Sequence, residues 1–165
     1  MHFKMSKNAQ SFFADIISPA GSHGAENKNK FKFQFDVYYF CALIGMAAIQ
    51  LDKDILDKDV SDLNDLTDTY PKPYIDCKAQ IAGLLVATEA KRQGIDMQSS
   101  KLEEMMLRYL SDNETMLSDE GVKTLNAYSF KGYQLIRDYP LIEKPTSREE
   151  FLDAFNIALK VHSAK

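Results

Sequence analysis

The chain has 165 residues, 45% of them hydrophobic and 27% charged, with a formal net charge of −4. That length suits one domain with a single core, and the composition argues against global disorder. A net negative charge also argues against a general nucleic-acid coat, because binding phosphates needs clustered Lys and Arg.

Cys41 and Cys77 are the only cysteines and form no CxxC pair. They cannot build a disulfide framework, so the expected setting is the reducing cytoplasm, with each cysteine inside a helix. The basic start, Met1 to Lys7, lacks the apolar run of a signal peptide. The most apolar stretch, Val37–Leu51, is 15 residues long, short of the ~20 that span a bilayer. It reads as a buried helix, and no membrane association is expected.

Charge is uneven along the chain. Residues 1–35 carry five Lys against Asp15 and Glu26, whereas residues 36–70 carry eight Asp against Lys53 and Lys58. A basic arm therefore adjoins an acidic belt, and the two can neutralise each other. The expected organisation is a single helical domain over 1–165, with a basic arm and first helix (1–35) and a helical core (36–165).

In chain order, Ser6 can cap a first helix reaching about Ile17, with Phe12, Phe13, Ile16 and Ile17 as its apolar stripe. The stretch from Ser18 to Lys30 breaks it into a loop. Lys30 to Phe35 alternates polar and aromatic residues, which predicts a short strand or extended arm with Phe31, Phe33 and Phe35 on one side. Asp36 caps the apolar helix. Leu and Ile spacing over Asp52–Asp68 predicts a short helix, ended by Tyr70-Pro71-Lys72-Pro73. A long helix marked by Ile75, Ile81, Leu85 and Val86 stops at Gly94 as a left-handed cap. Ser100 with Glu103 and Ser147 with Glu150 match capping boxes, and Ser118 with Asp119 and Glu120 starts a helix running towards Ile136. The fold class is mainly α: an irregular bundle of six to seven helices.

Candidate chemistry is sparse. Asp57, Asp59, Ser61, Asp65 and Asp68 fall in the register of a calcium loop, but Asp62 stands where the sharp turn needs Gly, so a solvated acidic face is preferred. The arm places Lys28, Lys30 and Lys32 between Phe31 and Phe33. That pattern suits a nucleic-acid or partner contact in which Lys meets phosphate and rings stack on bases; the plainer alternative buries the rings. His2, His23 and His162 share no helical face, which leaves zinc little support. No phosphate-binding glycine motif is present, and adjacent glutamates such as Glu103 and Glu104 diverge on a helix. Catalytic, metal and cofactor residues are accordingly assigned to none. The segment around Gly132, with Tyr128, Phe130, Lys131 and Tyr133, suits either a close helix approach in the core or a partner contact.

Phe33 to Ala48 resembles the early helix of small accessory proteins of bacterial DNA-phosphorothioation (Dnd) anti-phage defence systems, where an aromatic and acidic start leads into an Ala-rich helix broken by Gly. The resemblance implies a setting, an accessory subunit in defence, and no catalytic residues. The expectation is a non-catalytic helical adaptor docking on a larger protein complex, with room for a homo-oligomer. The alternatives are a nucleic-acid module built on the arm, helped by Lys91, Arg92 and Lys131, and an enzyme whose site comes together from distant residues.

Overall fold

A computed structural model describes residues 2–19, 27–57, 62–96 and 98–163, with only the backbone of Leu56 and Asp57. Within them lie strand β1 (Phe3–Ser6), helices α1 (Lys7–Phe12), α2 (Gln34–Ala48) and α3 (Lys53–Asp57), strand β2 (Leu63–Thr67), and helices α4 (Lys78–Gln93), α5 (Ser100–Tyr109), α6 (Asp119–Arg137) and α7 (Arg148–His162). Two 3-10 turns, Ala14–Ile16 and Lys72–Cys77, complete the order. The mainly-α bundle is as expected.

Two expectations inside it are corrected. The Lys30–Phe35 segment holds no strand: Phe31 makes one parallel bridge to Ile17, and Phe35 already belongs to α2. The strand pair lies elsewhere, with β1 antiparallel to β2. β2 occupies most of the second half of the stretch predicted to be helical, because Leu63 and Leu66 suit a helical spacing but β1 offers a backbone partner. Lys4 sits opposite Asp65 and pairs with it at 3.4 Å, so basic arm and acidic belt do meet there.

The helix termini follow the capping logic with local changes. Ser6 Oγ accepts from Ala9 N–H, but α1 ends at Phe12 and a 3-10 turn carries the chain to Ile16. α2 starts before Asp36, whose carboxylate turns back to accept the Phe33 N–H at 3.1 Å. Ser118 and Ser147 accept from the third helical N–H of α6 and α7. Glu150, however, bonds Thr146 instead of closing the box. At α5, Ser99 precedes the first turn and gives its hydroxyl to the Asp96 carbonyl, so the box read at Ser100 does not form. Gly94 adopts the left-handed cap at φ 65°. Ile75 lies in the 3-10 turn before α4 and is exposed, not a core position.

α6 is the axis of the bundle. It is buried on nearly every side from Thr124 to Ser129, and it shares its largest contact with α2. That contact is a crossing of bare backbones. A Cβ on Gly132 would strike the Cys41 carbonyl, and a Cβ on Gly45 would strike the Tyr128 carbonyl. Glycine is required at both points because the obstacle is main chain and cannot move aside. Ser129 Oγ reinforces the crossing with a 2.9 Å bond to the Tyr38 carbonyl.

Apolar side chains pack on both sides of α2. One cluster joins Phe3, Phe35, Tyr38, Leu85, Leu125 and Tyr128; the other joins Phe13, Ile16, Ile44, Tyr133, Ile136 and Phe151. Each Gly→Ala change at the crossing, at Gly45 or Gly132, is expected to cost about 1–3 kcal/mol through overpacking. At roughly 2–4 °C per kcal/mol for a chain of this size, thermal melting should register several degrees of loss. Gly83→Ala on α4, where a new Cβ meets nothing within 4 Å, should instead raise stability by about 0.5–1 kcal/mol.

Candidate interaction surfaces and the buried polar network

The residues singled out from sequence separate into surface and interior. Lys28 and Lys32 are exposed and Lys30 is half-exposed, on the turn leading into α2. Lys32 Nζ lies 5.7 Å above the half-buried Phe33 ring. Phe31 is buried, with edge-to-face contact on Phe151 at 5.3 Å and a tilted contact on Phe40 at 5.9 Å. The cations are available, but Phe31 cannot stack on a base.

A similar division holds around Gly132. Tyr128 and Tyr133 are buried in the two core clusters, as the core alternative expects, so neither is available as a partner contact. Phe130 and Lys131 remain half-exposed. Of the calcium-loop residues, Asp59 and Ser61 lie outside the described residues, as does His23, while Asp65 is paired with Lys4. Among the described residues no three metal-ligating side chains come together.

The feature that sequence reading missed is a buried carboxylate. Glu89, on α4, is fully buried, and its two oxygens receive five hydrogen bonds. Arg92 donates through Nε at 2.8 Å and through a terminal nitrogen at 2.7 Å. Gln93 donates at 2.8 Å, and the hydroxyls of Tyr109 and Tyr128 donate at 3.0 and 2.6 Å. Arg92, although exposed, is therefore paired with this carboxylate. Burial alone would raise the Glu89 pKa, but the bonds from Arg92, Tyr128 and Gln93 and the Arg92 charge outweigh it and hold the group at about 2. Burial, and after it the same carboxylate, pushes the Tyr128 and Tyr109 hydroxyls up, so both stay protonated donors. The network welds α4, α5 and α6 together, and it has the marks of structure: every oxygen is occupied.

A second polar side chain does structural work on β1. The Asn126 amide accepts the Lys4 N–H at 3.0 Å and donates to the His2 carbonyl at 3.2 Å, while Tyr38 donates to the same amide oxygen at 2.8 Å. Asn126 thus satisfies one edge of β1 as a neighbouring strand would.

The remaining surface offers a shallow depression of about 230 Å³, lined among others by Asp68, Thr69, Asn113, Glu114, Thr115 and Asp119. It also displays apolar side chains, foremost Leu107 on α5, 84% exposed beside the exposed Met106. No helix of the described residues is long and apolar enough to cross a membrane. No protein-family model, curated protein or solved structure matches the chain.

The two cysteines differ in environment. Cys41 is buried at the α2–α6 crossing, and burial pushes its thiol well above the usual range, whereas Cys77, the last residue of the second 3-10 turn, is exposed. A thiol reagent at neutral pH should therefore modify one equivalent in the native protein, at Cys77, and a second only after denaturation.

Glu89 makes a further expectation. Its folded pKa of about 2 lies below the ordinary value of 4.5, so its contribution is complete above about 5 and fades as the pH falls towards 2. The shift corresponds to roughly 3 kcal/mol. Glu89→Gln should melt at lower temperature at neutral pH and lose most of this acid-side slope, as read by melting curves from pH 7 to 2.

Proposed function

We propose that the chain is a non-catalytic helical adaptor that docks on a larger bacterial protein complex, in the anti-phage defence setting implied by the resemblance over Phe33–Ala48. The observation that carries the reading is where the side chains are spent. Among the described residues the one fully buried carboxylate is saturated by structural bonds, while Leu107 and Met106 stand in solvent on α5. Large exposed side chains of this kind add contact area at protein interfaces, and methionine adapts to varied partners. Phe130 and Lys131 extend the accessible side chains on α6.

A nucleic-acid module is the second reading, favoured by the exposed Lys28 and Lys32. It would lean on phosphate contacts, since the Phe31 ring is committed to the core and the Phe33 ring is half-buried. It predicts binding that weakens steeply with salt.

An affinity pull-down of the tagged chain from its native cell, with and without nuclease, separates the two. The adaptor reading expects a stoichiometric protein partner that survives nuclease and is lost from Leu107→Lys with unchanged melting. Partners that vanish with nuclease, and with Lys28→Glu and Lys32→Glu together, would favour the second reading. A wild-type chain recovered alone would sink the adaptor.

A further inference from the structure

The two-stranded sheet is closed on one side only. Beyond β1 stands Asn126, bonded to Lys4 and His2. Among the described residues there is no third strand beyond β2, and no hydrogen bond reaches its outer backbone edge. Alternate residues of a strand turn their N–H and C=O groups away from the partner strand, so this edge presents unmade bonds. A sheet of two strands is also marginal by itself and gains from a third. The side chains of β2 are half-buried apart from the exposed Asp65, and Leu66 packs on both core clusters, which anchors the strand.

Charge selects what can pair there. Asp62, Asp65 and Asp68 lie exposed on and beside β2, and Lys4 answers Asp65 across the sheet. A second copy of β2 laid edge to edge would set these carboxylates against their own equivalents, which is unfavourable. A chain alternating Lys or Arg with apolar residues would instead repeat on the outer side the pairing that Lys4 makes with Asp65 on the inner one. Past Thr67 the chain runs into the depression containing Asp68, Thr69 and Glu114, where a cationic side chain beyond the end of such a strand would arrive.

We propose that the outer edge of β2 is a docking edge that takes a basic, extended peptide segment of a partner protein as a third strand. The proposal deepens the adaptor reading by naming the partner's chemistry and rests on it, but the two fail separately. A partner that survives nuclease in the pull-down, together with no peptide binding here, would leave the adaptor and remove only this edge.

The test uses the full chain and a fluorescent nine-residue peptide alternating Lys and Val, followed by anisotropy at low salt. Its controls are the Glu–Val counterpart and a Lys–Val peptide methylated on alternate backbone nitrogens. Saturable binding of the basic peptide is expected, with about tenfold or greater weakening on N-methylation, since each lost hydrogen bond matters to affinity. Similar weakening is expected in the Asp62→Asn, Asp68→Asn double variant, whose exposed positions leave folding intact. Slower amide exchange over Leu63–Thr67 in the complex would place the peptide on the edge. Equal binding of the N-methylated peptide would overturn the proposal in favour of a diffuse charge effect. Absent binding, or a peptide-free dimer whose exchange is slowed at Leu63–Thr67, would overturn it as well.

Discussion

The fold turns on a place where two helices touch without side chains between them. Gly45 and Gly132 let the α2 and α6 backbones meet, each glycine lying against a carbonyl of the other helix. With that distance fixed, the rest of α6 can face several directions at once. Asn126 serves the β1 edge, Ser129 holds the Tyr38 carbonyl, and Tyr128 reaches the Glu89 carboxylate. Polar residues are tolerated on a buried helix because each has a defined partner, and an unsatisfied one would cost far more than a paired one gains.

That arrangement explains which parts of the sequence were legible. Serine caps at Ser6, Ser118 and Ser147 and the glycine stop at Gly94 act over three or four residues, so local pattern sufficed. The mid-helix Gly132 was readable as a close-approach site, although its partner, Cys41, was not. β2 was misread because Leu63 and Leu66 fit a helical spacing, and the strand depends on Phe3–Ser6 sixty residues away. The alternation of Phe3 and Met5 with Lys4 was the one local hint of β1, but four residues are too few to weigh against their surroundings.

The candidate site shows the same boundary. The exposed cations Lys28 and Lys32 could be found in sequence because exposure is the ordinary fate of lysine. Glu89 could not. In the run Ala87-Thr88-Glu89-Ala90-Lys91-Arg92 it looks like half of a surface ion pair three residues apart, and its burial comes from Tyr109 and Tyr128 arriving from other helices. Tyr128 and Tyr133 could be read as core or as partner contacts for a related reason: aromatic residues suit both, and only the tertiary structure distinguishes them.

The bond between Asn126 and the start of β1 also bears on how the chain is made. Phe3 is made well before the groups that hold its strand, which lie at Leu63–Thr67 and at Asn126. At about 5–20 residues per second, more than a hundred residues of synthesis separate the strand from its final partner. Through that interval Phe3 can meet Phe35, Tyr38 and Tyr70, but the Lys4 N–H and the His2 carbonyl lack their native partner. Strand β1 therefore gains its second edge only once Asn126 has been made, long after the strand itself.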